Sequence, residues 1–66
     1  MPEGLNPNER MQQIRAMLSN RESVSIAELA KNLSVSEMTI RRDVAELERA
    51  GFVQRMHGSV VATERL

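Results

Sequence analysis

Two adjacent arginines, Arg41 and Arg42, are the side chains of this sequence with the clearest capacity to bind a ligand. A guanidinium group bonds phosphate through two parallel hydrogen bonds and also reads the edge of guanine in the DNA major groove. Both arginines fall within residues 36–51, SEMTIRRDVAELERAG. This composition is compatible with binding to nucleic acid. An ordinary surface helix with solvated arginines has the same composition, and this stretch alone does not separate the two interpretations.

The stretch has the signals of one amphipathic helix. Ser36 is a typical N-cap, and Gly51 is a typical residue just past a helix C-terminus. Three apolar residues between them recur at helical spacing and predict a core-facing stripe: Ile40, Val44 and Leu47. At about 100° per residue, the opposite side carries Met38, Arg42, Ala45 and Arg49, with Arg41 and Thr39 on the two flanks. Asp43 lies at the edge of the buried stripe, where we expect it to hold an arginine, with Arg55 as the candidate.

A first helix is predicted from the cap at Asn6 to about Ser19. Pro7 suits the first helical position, and Glu9 stands at capping-box spacing from Asn6. Its apolar stripe consists of Met11, Ile14, Met17 and Leu18.

A second, eight-residue helix is predicted after the cap at Ser25, with Glu28 at capping-box spacing. Its apolar face consists of Ile26, Leu29, Ala30 and Leu33. Val24, between two serines, is a candidate for a very short strand that pairs with a C-terminal hairpin.

The connection between the second and third helices is only about three residues long. Such a tight turn makes two short helices cross at a large angle, as in a helix-turn-helix. A generic helical hairpin in a small bundle remains an alternative. If the third helix is a recognition helix, its early, outward residues Met38 and Arg42 face base edges. Ser36 and Thr39 are short donors near a helix N-terminus, where backbone N–H groups favour phosphate.

After Gly51 the sequence changes to strand-forming residues around a turn, which predicts a β-hairpin over residues 52–62. Gly58-Ser59 suits a type II′ turn, and the rival His57-Gly58 turn forces His57 to a positive φ. Alternation does not show which face of the hairpin packs inward. A hairpin directly after a helix-turn-helix is the layout of a winged helix. Arg55 and His57 near its tip are candidates for contact with phosphates or the minor groove, although His57 is also compatible with a solvated turn residue.

Length and composition exclude several classes of protein. The 66 residues allow one small domain, and there is no Cys for a disulfide or a thiolate metal site. His57 is the only histidine and no phosphate-loop pattern is present, so we expect neither an enzyme nor a bound cofactor or metal. There is no apolar run long enough for a signal peptide or a membrane span, and a cytoplasmic location is expected. Nine basic and nine acidic residues balance, so positive charge must be local if DNA is the partner.

The sequence resembles the N-terminal domain of DeoR-family bacterial transcription regulators. The resemblance extends from about Met11 to Val61 and rests mainly on VS at 35–36, TIRRD at 39–43, LE at 47–48, Gly51, Arg55 and HG at 57–58. It implies a recognition helix over residues 37–50, DNA contacts from Ser36, Thr39, Arg41 and Arg42, and a wing around Arg55, His57 and Gly58. It also implies a repressor of sugar-catabolism genes whose larger C-terminal domain binds a sugar phosphate and forms homo-oligomers.

Two departures from the family pattern accompany this resemblance. The family usually has two glycines at the wing turn, whereas Ser59 follows Gly58 here. The chain also ends where the effector domain would begin. We therefore expect a mobile N-terminus at residues 1–5, a winged helix-turn-helix domain at 6–62, and at 63–66 an end or a link to an absent effector domain.

The sequence thus predicts a mainly α winged helix-turn-helix that binds double-stranded DNA sequence-specifically, with the isolated domain as a monomer. A winged-helix module that binds protein instead of DNA is the alternative, favoured by the zero net charge and by the acids of the third helix.

Overall fold

The computed structural model describes residues 5–65, so residues 1–4 of the predicted mobile N-terminus and residue 66 of the predicted C-terminal link lie outside the described residues. Three α-helices pack with a small antiparallel sheet, as in a winged helix-turn-helix. The elements in chain order are α1 (Pro7–Ser19), β1 (Val24–Ser25), α2 (Ile26–Leu33), α3 (Glu37–Arg49), β2 (Val53–Met56), β3 (Ser59–Ala62) and a 3-10 turn (Thr63–Arg65). The predicted fold class is confirmed.

The predicted caps begin all three helices. The Asn6 side chain accepts from the Glu9 N–H at 2.8 Å, and the Asn6 N–H donates to Glu9 Oε1 at 3.0 Å, which completes a capping box. The Ser25 hydroxyl accepts from the Glu28 N–H at 3.0 Å. The Glu28 carboxylate bonds Arg21. These caps satisfy backbone donors that a helix cannot satisfy internally.

The sheet is organised around β3, which lies between β1 and β2. Val24 and Ser25 pair with Val60 and Ser59, which confirms the predicted short strand at Val24. Val24 is 1% exposed, so its apolar side chain contributes to the core although its strand is only two residues long.

The hairpin turn was predicted wrongly at Gly58-Ser59; the structure places it at His57-Gly58. Met56 pairs directly with Ser59, and the two residues between them have φ values of 53° and 81°. Positive φ at both central positions is the type I′ pattern. Histidine enters the left-handed region more readily than most residues. The physical reason for the difference is β1, because a turn that used Ser59 would remove the Ser25–Ser59 pair.

The face of the hairpin that packs inward is the one carrying Val53, Val60 and Ala62, which are 2%, 0% and 9% exposed. Moving the turn by one residue changes each cross-strand partner by two positions. Because side chains alternate with a period of two, the residues that share each face stay the same. The alternation of residues in the sequence does not identify the inward face, which is determined by packing against the helices.

One apolar core joins the helices to the sheet. α3 contacts α1, α2 and β2, and α1 also contacts β3. The stripe of α3 is confirmed, since Ile40, Val44 and Leu47 are at most 4% exposed. The core consists of Ile14, Leu18, Val24, Ile26, Leu29, Ala30, Ile40, Val44, Leu47, Val53, Val60 and Ala62. Met11, Met17, Leu33 and Val35 are only partly buried and pack against it. Within residues 5–65, none of the helices has the length and apolar character needed to cross a membrane.

Candidate nucleic-acid interface

The N-terminus of α3 is held by a compact hydroxyl network. The Ser36 hydroxyl accepts from the Thr39 N–H at 3.1 Å and donates to Thr39 Oγ1 at 3.1 Å. Ser36 therefore acts as the predicted cap, and the Thr39 hydroxyl proton stays available to an outside acceptor such as a phosphate oxygen. Ser36 is exposed and Thr39 is half-buried.

The outward side of α3 carries an exposed stripe that we call the outer stripe: Met38, Arg42, Ala45 and Arg49. Met38 is 68% exposed, the highest value among the large apolar side chains of residues 5–65. Within residues 5–65, Arg42 has no hydrogen-bond or ion-pair partner. Its guanidinium is therefore available to an external ligand.

The neighbouring arginines of α3 are paired with carboxylates on the same helix. Arg41 lies 3.4 Å from Glu37, and Arg49 lies 2.9 Å from Glu46, measured between side-chain nitrogen and oxygen. Both pairs are exposed, and exposed ion pairs contribute only about 0–1 kcal/mol. A phosphate can therefore displace either carboxylate at low cost.

A groove separates the flank of α3 from the hairpin. It is lined by Ile26, Arg41, Glu48, Arg55, His57 and Gly58. We call it the wing groove. It brings Arg41 of the helix together with all three residues predicted for the wing. Arginine side chains from two elements that face one groove can form a binding site for a phosphate group.

The tip of the hairpin is anchored to the start of α2. The Ile26 N–H donates to the Gly58 carbonyl at 3.0 Å. This bond satisfies a first-turn donor of α2 and holds the turn at a fixed place beside α3. Arg55 and His57, just before this anchor in the chain, are both exposed.

Asp43 does not bind Arg55, so that expectation was wrong. Its carboxylate accepts from Arg10 instead, at 2.5 Å from Nε and 3.3 Å from Nη2. Arg10 Nη1 also donates to the Leu5 carbonyl at 2.8 Å. The hydrogen bond with Asp43 raises the pKa of Arg10 above its ordinary value, so this guanidinium stays charged throughout the neutral pH range. Arg55 instead lines the wing groove and is exposed.

The structure divides the predicted site residues into two adjoining groups. Arg41, Arg55, His57 and Gly58 line the wing groove, whereas the others lie along the N-terminal half of α3: Ser36, Met38, Thr39 and Arg42. Sequence reasoning missed Glu48, a carboxylate within the groove. Its spacing of seven residues from Arg41 on one helix face was the signal that could have found it. No group of three or more His, Asp or Glu side chains in residues 5–65 is arranged to hold a metal ion.

The sequence of this chain is similar to a known domain family and to several named proteins. Residues 10–65 match the DeoR-like helix-turn-helix domain. The chain is 41% identical over 54 residues to the lactose phosphotransferase system repressor of Staphylococcus epidermidis. It is 37% identical over the same length to the protein of that name in Streptococcus mutans, and 35% identical to that of Staphylococcus aureus.

Each of these alignments covers 82% of this chain but 22% of the repressor, so the chain spans about a fifth of the length of the curated relatives it matches. The family match covers both α3 and the hairpin, the two elements that form the outer stripe and the wing groove. The chain belongs to the family of DeoR-like helix-turn-helix domains.

Proposed function

We propose that this domain binds duplex DNA sequence-specifically as the reading module of a transcription regulator. α3 enters the major groove, and the hairpin lies on the adjacent backbone or in the minor groove. The family match supports DNA binding, and the repressor relatives support a role in transcription.

The observation that carries the proposal is the arrangement of α3 and the wing groove. The outer stripe contains no acidic side chain, and its Arg42 has no partner within residues 5–65. Beside it, Arg41, Arg55 and His57 face one groove. An outer stripe without acidic residues and with an arginine unpaired in the described chain suits base contacts, and a neighbouring groove lined by two arginines suits phosphate contacts.

The proposed contacts follow from position. Met38 and Arg42 face the base pairs, whereas Arg41 lies on the flank of α3 and contacts a base edge or the adjacent phosphate. Ser36 and Thr39 bond a phosphate at the helix N-terminus. Arg55, His57 and the Gly58 backbone contact the DNA backbone or minor groove at the wing.

The biological role that we propose is repression of sugar-metabolism genes, since the relatives are repressors of the lactose phosphotransferase system. In such a regulator, residues 6–62 form the DNA-binding unit and residues 63–66 lead toward an effector domain. That domain, as the family resemblance implies, binds a sugar phosphate and joins the subunits into a homo-oligomer. The site of action is the cytoplasm, where a bacterial chromosome lies.

A binding titration tests the DNA-binding proposal. Duplexes are selected from a random library with the 66-residue chain, then titrated by fluorescence anisotropy against scrambled duplexes of equal length. We expect preferential binding that is strongly reduced in the double variant Arg42→Ala/Arg55→Ala. Arg15→Ala is the matched control, because Arg15 lies over the Phe52 ring, 3.8 Å from its centroid, and belongs to neither the outer stripe nor the wing groove.

A protein-binding winged helix is the second candidate. The balance of basic and acidic residues and the exposed acids Glu46 and Glu48 beside the arginines favour it. Failure of the library to yield any enriched duplex, together with equal affinity of all variants for random DNA, would favour this candidate over DNA reading.

A further inference from the structure

We propose that Met38 and Arg42 read two base pairs that lie one or two steps apart, Met38 contacting the methyl group of a thymine and Arg42 the O6 and N7 atoms of a guanine. The inference rests on the proposed function, since it requires α3 to lie in the major groove. It adds the chemical identity of the bases that this domain selects.

Met38 is the apolar half of the proposed reading pair. Other large apolar residues of the helices are buried or pack against the core, whereas Met38 is 68% exposed at the start of the outer stripe. Base edges in the major groove present mostly hydrogen-bonding atoms, and the 5-methyl group of thymine is the apolar exception. A flexible thioether side chain, which adapts its shape to a contact surface, therefore matches thymine.

Arg42 is the polar half of the pair. The other two arginines of α3 are bonded to Glu37 and Glu46, whereas Arg42 has no carboxylate partner within residues 5–65. Its planar guanidinium can bond guanine O6 and N7 together without first losing an ion pair. Arg49, in the same stripe two turns later, is held by Glu46 near the helix end.

The spacing of the two side chains determines the spacing of the two bases. Met38 and Arg42 are four residues apart on one face, which corresponds to about 6 Å along the helix axis. Base pairs stack about 3.4 Å apart. The guanine and the thymine therefore lie one or two base-pair steps from each other. Ala45 comes next in the stripe, but its single methyl group projects least from the helix.

Base analogues test each contact at a single atom. In a duplex selected with the 66-residue chain, each thymine is replaced in turn by deoxyuridine, which lacks the methyl group. Each guanine is replaced by 7-deazaguanine, which lacks N7. We expect one deoxyuridine position to weaken binding about fourfold and one 7-deazaguanine position to weaken it about tenfold. Hypoxanthine in place of that guanine is the control, because it alters only the minor-groove amino group.

Two variants assign the two penalties to side chains. Met38→Ala should abolish the deoxyuridine penalty and keep the 7-deazaguanine penalty, and Arg42→Ala should do the reverse. Arg49→Ala, an arginine of the same stripe, should keep both. Both penalties retained in both variants, or sensitive positions more than two steps apart, would overturn the inference and leave sequence-specific binding intact. Failure to enrich any duplex would overturn the proposed function and this inference with it.

Discussion

Residues of the same type have different roles in this domain because their partners differ. The arginines of α3 illustrate this, since Arg42 is unpaired within the described chain whereas Arg41 bonds Glu37 and also lines the wing groove. Arg10 differs most from these, because its side chain is only 14% exposed and binds the buried carboxylate of Asp43. Position and partner, more than residue type, therefore separate the arginines proposed for base reading and phosphate contact from the one that supports the fold.

The first prediction distinguishes Arg42 from Arg41. Arg42→Ala should lower affinity for a selected duplex far more than for scrambled DNA, because a bidentate arginine–guanine pair contributes about 1–3 kcal/mol of discrimination. Arg41→Ala should weaken both more evenly and make the salt dependence shallower by about one phosphate. Titrations at several salt concentrations measure both effects. A specific-to-random ratio that collapses only in Arg41→Ala would reverse these assignments.

The second prediction concerns the buried pair of Arg10 and Asp43, whose side chains are 14% and 5% exposed. Arg10→Met leaves a buried carboxylate without its partner and should destabilise the domain by about 3–5 kcal/mol, whereas the double variant Arg10→Met/Asp43→Leu should recover much of that loss. Urea unfolding followed by circular dichroism measures both. Equal loss in the single and double variants would show that the pair itself is not the source of the effect.

The effect of pH on the stability contributed by this pair follows from the direction of the Arg10 pKa shift. The pKa of Arg10 is raised in the folded protein by its hydrogen bond with Asp43. A raised pKa in a cationic group stabilises the fold at every pH below the unfolded value. This contribution is lost only as the pH rises through the folded value. The arginine therefore gives no pH dependence to stability in the neutral range.

At the scale of elements, two left-handed residues shape the turns. Ser34, between α2 and α3, has φ 58° and ψ 43°, and His57 in the wing turn has φ 53°. The turn at Ser34 brings the Val35 N–H to the Ala30 carbonyl at 3.1 Å, which ends α2 and directs the chain into the cap at Ser36. Both positions hold a residue with a side chain in a conformation that glycine adopts more easily.

The third prediction uses the conformation of Ser34. Ser34→Gly should stabilise the domain by about 0.5–1 kcal/mol, because relief of left-handed strain exceeds the added entropy of the unfolded chain. Thermal unfolding should show a rise of a few degrees in Tm. Ser34→Ala is the matched control, since it removes the hydroxyl and keeps the strain, and it should give no such rise. A lower Tm for Ser34→Gly would mean that the serine side chain stabilises the turn.

At the scale of the whole molecule, the net charge is zero and the positive charge is local. Several cations are already neutralised within the fold, including Arg10 by Asp43 and Arg21 by Glu28. The remaining cations near α3 and the wing groove are few, and Glu48 lies among them. Long-range attraction to DNA should therefore be modest, and binding should depend on short-range contacts.

The fourth prediction concerns the salt dependence of binding. With only a few phosphates neutralised, log K against log salt should have a slope between about −3 and −5, at about −0.9 per phosphate. The 66-residue chain should bind weakly, because higher affinity comes from linking two domains on repeated half-sites. Sedimentation of this chain should show a monomer. Tight binding that is insensitive to salt would contradict this expectation.

The sequence by itself determined the helices, because their signals are local. Caps at Asn6, Ser25 and Ser36 and the spacing of Ile40, Val44 and Leu47 act within a few residues, and all were confirmed in place. The short strand at Val24 and the hairpin after Gly51 were also recognised from local composition.

Tertiary structure alone decided the features that depend on distant partners. Arg10 and Asp43 are 33 residues apart, so no local pattern could show that they bond. The wing turn moved to His57-Gly58 because β1 pairs with Ser59, a contact between segments far apart in sequence. The inward face of the hairpin and the shared groove of Arg41, Arg55 and His57 likewise depend on how the sheet packs beside α3. Local propensity forms elements, whereas their pairing and packing select among conformations that are locally similar in energy.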